Sequence, residues 1–391
     1  MGAEKMSDNK KYWVWLTLTL GPSTRNDEIL FAFPDPEKLY NATEKERMID
    51  GVFTKRQLEK LDNSKLAEAE RIVALCKKRG WQIVTPDDKI YPAGLRKLND
   101  MPFALFVDGD ISCLRGKVII AVVGTRKPCF ESIAIARRIS SDLSKAGAVV
   151  VSGGALGIDS AAHEGTLEAE GKTVCVLGCG FGYDYLRENE PLRRQVSENG
   201  AVVTEYPPMT GASRYTFPAR NRIISGMSHG VLVVEAGEKS GSLITAQRAA
   251  DQRRDVFAIP GSILTTAYNG ANALIRDGAK AVSGAKDILA SYAVMYPDRL
   301  NLDAIGDEPI KVELSEENQN LQTVEKQDDS GLDPDCKAVY NLFEEKPLHP
   351  DDICADTGIP LSRVATALFR LQVIGYIESD GGKNYKLKPI S

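Results

Sequence analysis

Five short segments of this chain bring together residue types that hold anions and flat rings. Gly124-Thr125-Arg126 follows the apolar run KVIIAVV: glycine lets the backbone turn tightly, threonine offers a hydroxyl, and arginine a two-pronged fork that matches phosphate. Ser152-Gly153-Gly154-Ala155-Leu156-Gly157-Ile158-Asp159 reads as a strand end whose glycines open a helix N-terminus, where free N–H groups form an anion cradle. Arg214-Tyr215-Thr216-Phe217-Pro218-Ala219-Arg220-Asn221-Arg222 sets three arginines beside two rings and is predicted to enter a helix at Ala219. Positive charge interleaved with rings is what the binding of single-stranded nucleic acid needs. Glu235-Ala236-Gly237-Glu238-Lys239-Ser240-Gly241-Ser242 is again a strand end leading into a helix, with Lys239, Ser240, Gly241 and Ser242 as anion contacts. The fifth, Ala258 to Gly261 followed by Asn269 to Ala279, is better explained as a helix that closes a sheet.

Plainer explanations stand beside these. Glycine at a strand-to-helix turn is often a steric need, Phe217 fits a core, and Arg220 fits a structural pair with Glu235. Neither G-x-G-x-x-G nor G-x-x-x-x-G-K-[ST] is matched, so neither a dinucleotide nor a nucleoside-triphosphate loop is indicated and no cofactor is expected. The histidines are His163, His229 and His349, and the seven cysteines are scattered, their nearest pair Cys175 and Cys179 lacking C-x-x-C spacing. No metal site and no catalytic triad emerges from so few candidates. Asp159 and Glu235 are placed to act as acid or base, although strand-end carboxylates are more often caps or hydrogen-bond acceptors.

The elements that must position these loops follow from patterning. KVIIAVVG, AVVVSGG, TVCVLGCG, AVVTE, GVLVVEAG and DVFAIPG are short, near-continuous apolar runs of the kind that form buried parallel strands, and amphipathic stretches such as SIAIARRISSDLSKAG separate them. This repetition predicts an α/β fold with a doubly wound sheet, whose sites lie beyond the carboxyl ends of the strands. Residues 1–88 read as a small helical domain anchored by Trp13, Trp15, Leu18 and Leu20, with Gly21-Pro22-Ser23 a candidate helix start. Residues 89–290 carry the sheet, 291–330 read as a polar, acidic linker, and 331–391 as three helices and a hairpin turning at Gly381-Gly382, a winged helix. Its recognition helix, Leu361 to Gly375, has only Arg363 and Arg370 as basic residues, which favours a protein contact over direct DNA binding.

A formal net charge of -5 confines any nucleic-acid site to a local patch. No apolar run reaches the ~20 residues of a membrane span and the N-terminus has no signal-peptide pattern, which points to a cytoplasmic protein without a membrane partner.

In order and spacing, GTR, SGGALGID, FPARNRIISG, EAGEKSGSLITA, AIPG and NGANALIRDGA resemble the DprA/Smf (DNA-processing protein A) family, with Tyr91-Pro92, Leu95, Met101-Pro102 and Gly109 resembling its lead-in. The resemblance covers about Lys89 to Leu289 and implies a Rossmann-like domain, flanked by an N-terminal SAM/HhH-like helical domain and a C-terminal winged helix. It further implies a non-enzymatic, cytosolic protein that binds single-stranded DNA during natural transformation, protects it, and helps load the RecA recombinase, as a homodimer through the Rossmann-like domain. Carried over by position, the DNA-pocket residues are Arg126, Gly153, Gly154, Arg214 and Phe217. Arg187, in Tyr185-Leu186-Arg187-Glu188-Asn189, is a further one, although Leu186 stands where that family has proline. The rival is a LOG-type nucleotide phosphoribohydrolase, which shares a GG-x-x-G loop but whose PGGxGT signature is missing at Glu235 to Ser242.

Overall fold

The computed structural model describes residues 2–22, 25–48, 51–306, 332–343, 348–379 and 384–387. Chain contacts divide it into two units, Met1–Ile310 and Lys311–Ser391.

In the first unit all six apolar runs become strands: β3 (Ile119–Val123), β4 (Val149–Ser152), β5 (Thr173–Val176), β6 (Ala201–Thr204), β7 (Gly230–Val233) and β8 (Asp255–Ala258). Three more were not singled out: β1 (Gln82–Val84), β2 (Leu105–Gly109) and β9 (Lys280–Ala281). Among the described residues the sheet order is β1-β2-β6-β5-β4-β3-β7-β8-β9, parallel from β6 to β9 and antiparallel at β1 and β2. Alternation along β3 feeds two cores. Ile119, Ala121 and Val123 pack beneath the helices α10 (Thr216–Met227) and α11 (Ser242–Asp251), while Ile120 and Val122 pack against α7 (Phe130–Lys145) and α8 (Ile158–Glu168). Helices on both faces make the sheet doubly wound. Its order reverses at β3, which pairs with β4 on one side and β7 on the other, and a crevice opens there beyond the carboxyl ends.

The N-terminal helices build a third core on Trp13, Trp15, Leu16 and Leu20, closed by Ile83, Phe103 and Phe106 from the sheet side; Leu18 is half-buried against it. Gly21 ends the first helix (Gly2–Leu20) rather than starting the next: its φ is +63° and its N–H donates to the Thr17 carbonyl at 3.0 Å. The strand Gln82–Val84 lies inside the stretch read as helical, because Ile83 and Val84 are buried against β2. The expected linker also begins too early. Helix Ala285–Met295 continues through Ser291, and Tyr292 and Ile305 are buried in the sheet's second core, so residues 291–306 pack rather than tether. The rest of that linker, 307–330, lies outside the described residues.

The second unit has helices Pro334–Leu342, Pro350–Thr357 and Leu361–Val373 and a strand pair, Ile377–Ser379 with Tyr385–Leu387, around a core of Val339, Tyr340, Phe343, Leu368 and Leu371. The turn at Gly381-Gly382 lies outside the described residues. Among those residues no helix is long and apolar enough to cross a membrane.

Candidate nucleic-acid interface

A cavity of about 330 Å³ opens at the switch point, walled by the β3 loop, the loop after β4, and the N-terminal turns of α10 and α11. Gly124 must be small: a Cβ there would stand 2.6 Å from the Ile158 side chain and 3.0 Å from the Glu235 carbonyl. Thr125 is tied on both sides, its N–H donating to the Glu235 carbonyl at 2.8 Å and its carbonyl accepting from Ile158 at 3.3 Å. This rigid turn projects Arg126 outward. The guanidinium is exposed and lies 5.3 Å from the centre of the Phe217 ring, which in turn lies 5.1 Å from Tyr185. Gly178 backs Phe217 so closely that a Cβ there would come within 2.8 Å of the ring. No described carboxylate pairs with Arg126, so an unanswered cation and the Phe217 ring line the cavity together, with Tyr185 against that ring outside the lining. Such a cation–π contact is worth about 0.5–1 kcal/mol at an exposed site, which biases the fork toward the ring.

The segment bearing Phe217 starts its helix three residues before the expected Ala219. Ser213 Oγ accepts from the Thr216 N–H at 3.2 Å and Thr216 Oγ1 accepts from the Ser213 N–H at 3.0 Å, reciprocal bonds that close the turn leading into the helix. Pro218 falls in the first turn, where a missing N–H costs nothing. Only part of the arginine cluster reaches the cavity. Arg220 is buried at its floor and donates to the carbonyls of Gly153 (2.7 Å) and Val176, not to Glu235. Arg222 turns away to Glu205 (2.7 Å) and Asp100 (3.2 Å). Arg214 is exposed outside the cavity lining, stacked 4.8 Å over Tyr215 and bonded to its hydroxyl.

The glycine loop corrects the expectation of a free anion cradle. Asp159 Oδ2 accepts from the N–H groups of Gly153 (3.1 Å) and Ala155 (3.4 Å), so the chain's own carboxylate occupies donors assigned to a ligand. Burial pushes the Asp159 carboxyl up, with Arg220 and those amides pulling it back, and burial pulls the Arg220 guanidinium down. Ser152 is fully buried and donates to the Val122 carbonyl at 2.6 Å; like the buried Gly153 and Gly154 it lies outside the cavity lining, to which this loop contributes Ala155 and Asp159. Glu235 accepts from the Cys129 N–H at 2.9 Å. Both carboxylates that might have served as acid or base thus hold backbone.

On the opposite wall Ser240, Gly241 and Ser242 line the cavity at the start of α11, a helix without acidic residues in its first turn. Ser240 and Ser242 hydroxyls bond at 2.8 Å, and Asn221 Nδ2 donates to the Gly241 carbonyl at 3.4 Å. Lys239 is exposed but outside the lining, and Arg187, 81% exposed, pairs with Asp184. Leu186 has φ +47°, which a proline ring locked near -65° cannot adopt, so this loop departs from the proline-bearing pattern. Sequence reasoning did not single out Ile244, 39% exposed on the rim, or Tyr185 as the second ring. An apolar residue on the solvent face of α11's first turn was the available signal for Ile244.

Residues 82–293 match the model of a family described as DNA recombination-mediator protein A, and residues 324–383 that of the DprA winged helix domain. The chain is 40% identical to DNA processing protein DprA of Bacillus subtilis over 218 residues, 56% of this chain and 73% of that one. The X-ray structure of DNA processing protein A from Streptococcus pneumoniae superposes with a TM-score of 0.60 at 32% identity, covering 72% of this chain and 97% of the other. DNA processing protein A of Helicobacter pylori, solved for its single-stranded DNA binding mode, gives a TM-score of 0.50 at 29% identity, covering 55% and 97%.

Proposed function

The chain belongs to the DNA recombination-mediator protein A family, the DprA/Smf proteins, and from that premise we propose that it binds single-stranded DNA in the switch-point cavity. The observation that carries this reading is Arg126, exposed, without a described carboxylate partner and stacked on Phe217. A phosphate meets the Arg126 fork and the start of α11, while an unpaired base lies against Phe217 and Tyr185. Stacking on a ring contributes about 1 to 3 kcal/mol per base and tolerates any sequence. Base preference is therefore slight. A duplex binds less well because its paired bases cannot reach the rings.

The binding part is the Rossmann-like region, whose sheet begins at Gln82–Val84 and whose packed helices run through Ala285–Met295, preceded by the N-terminal helices and followed by the winged helix. In the cytoplasm the protein protects incoming DNA during natural transformation and helps load RecA, acting as a homodimer through the Rossmann-like domain. No catalytic step is assigned. A LOG-type phosphoribohydrolase needs a carboxylate directed at substrate, whereas Asp159 and Glu235 are engaged with backbone amides.

Fluorescence anisotropy with a labelled unstructured single strand and its duplex, across a salt series, tests the binding. The single strand should win, with a log-log salt slope of about -0.7 per phosphate neutralised. Arg126→Ala should flatten that slope and Phe217→Ala should weaken binding. Equal binding of both DNA forms, unchanged in both variants, would reject the cavity as the site. RecA loading is tested separately, by RecA's DNA-dependent ATP hydrolysis on a strand precoated with single-strand-binding protein, with and without this chain.

A further inference from the structure

A second cleft, of about 750 Å³, lies at the other end of the same helical layer. Where the first cavity takes the N-terminal turns of α10 and α11, this one takes Arg222 of α10, the C-terminal turn of α11 and the residues that lead into β8. Its lining holds six basic side chains against two acidic ones, Asp100 and Asp251. Arg222 is matched by Asp100 and Glu205, and Arg25 by Glu28. Lys97, Arg248, Arg253 and Arg254 have no carboxylate partner among the described residues, and the first three are exposed.

Two further features mark the cleft as built. Four non-glycine residues among those described have positive φ, and two of them, Arg25 (+74°) and Arg253 (+56°), are arginines in its lining. The left-handed turn just past a helix is where glycine is ordinarily found; Arg253 occupies it after α11 and carries a cation into the cleft. Backbone held in a disfavoured region is a pointer to function when it places a side chain at a site. The floor, moreover, keeps unanswered donors. Arg254 is anchored through Nη2 to the carbonyls of Gly94 (3.3 Å) and Gly226 (3.2 Å), yet its Nε has no acceptor among the described residues, and neither has Nη1 of Arg222.

The two cavities are linked along α11, which contributes to both linings. Ile244 lines the first and Arg248, one helical turn on, lines the second, so their side chains stand about 6 Å apart on the exposed face of α11. We infer that the cleft is a second backbone site for the same DNA strand, taking phosphates on Lys97, Arg248 and Arg253 after the strand leaves the Phe217 cavity across Ile244. This rests on the proposed single-strand binding. Helix α11, ten residues long, spans about 15 Å. At about 3.4 Å per stacked nucleotide, some four or five nucleotides cover it. Centred on Phe217, a four-nucleotide strand extends only about 7 Å to either side, short of the C-terminal half of α11, whereas a fifteen-nucleotide strand reaches both sites.

The experiment compares oligo-dT of four and fifteen nucleotides on full-length wild type, on Lys97→Gln/Arg248→Gln/Arg253→Gln, and on Phe217→Ala, with inorganic tripolyphosphate as a competitor in a parallel arm. The triple variant should bind the 4-mer as wild type does and lose about 2 from the log-log salt slope on the 15-mer. Arg253→Gly guards against misfolding. Glycine suits φ +56°, so its melting temperature should rise while the 15-mer slope still falls by about 0.7. A wild-type 15-mer slope in the triple variant overturns the second site, and loss of binding only in Phe217→Ala then leaves the first standing. Displacement by tripolyphosphate that needs the three cations, with an unchanged 15-mer slope, assigns the cleft to a small polyphosphate and likewise overturns the DNA path. If wild type binds neither length, both readings fall.

Discussion

The switch-point cavity and the winged helix each present arginines to solvent, and what surrounds those arginines separates them. Arg126 stacks on Phe217 and has no carboxylate partner among the described residues. Arg363 and Arg370, both 62% exposed on the recognition helix, are each matched inside their own unit: Arg363 Nε donates to Asp335 at 2.7 Å and Arg370 Nη1 to Asp333 at 3.0 Å. Asp333 also caps the helix Pro334–Leu342, accepting two N–H groups at 3.1 Å, so the pairing is anchored to the fold. What the same helix offers freely is apolar: Leu361, Phe369 and Val373 are exposed on it. The two regions therefore differ in whether their exposed arginines are already answered by a carboxylate, not in how many arginines they carry.

Three measurements break or sharpen this contrast. The largest effect is expected on single-strand affinity: Phe217→Ala should lose about 1 to 3 kcal/mol, while Arg363→Ala with Arg370→Ala should leave the binding isotherm and its salt slope unchanged. A comparable loss from the winged-helix pair would erase the distinction. A smaller effect should appear on converting Asp333→Asn and Asp335→Asn together. Asparagine still caps the helix, but two arginines are released, and the log-log salt slope should steepen by up to about 1.4. No steepening would mean that this face never meets DNA, whatever its charge.

The smallest effect concerns acid. His163, buried with Nδ1 2.8 Å from Thr173 Oγ1, is held neutral by burial, its pKa pushed down to about 3. Below about pH 6.5 the unfolded chain gains a proton that the folded one refuses, so the sheet unit loses stability from there toward pH 3. Asp333 is held at about 2, chiefly by accepting hydrogen bonds at Cys336, so the stability it contributes persists above about pH 4 and fades only toward pH 2. All three tryptophans, Trp13, Trp15 and Trp81, lie in the first unit. In an acid titration their fluorescence should therefore shift before amide exchange speeds up in Pro334–Leu342, and His163→Gln should delay the first event only.

Much of this was legible in the sequence. Six apolar runs became six strands because a parallel strand buried on both faces must be continuous in hydrophobicity, and no other short element demands that. β1, β2 and β9 escaped notice because they are short or lie at the margins of the pattern. The loops at the strand ends followed from the same logic, and with them Gly124, Thr125, Arg126, Phe217, Ser240, Gly241 and Ser242 as lining. The family itself could be recognised from the order of those loops.

Side-chain direction and prior occupancy belonged to the tertiary structure. Along Arg214 to Arg222, three arginines within nine residues diverge to solvent, to the cavity floor and to a buried acid pair: Arg214 precedes the helix, and within it Arg220 and Arg222 stand about 200° apart. Asp159 filling the glycine loop and Tyr185 completing the ring stack are contacts between segments that no single segment announces. Residue type and spacing determined which chemistry this chain can present; long-range packing decided which of those groups remain free to use it.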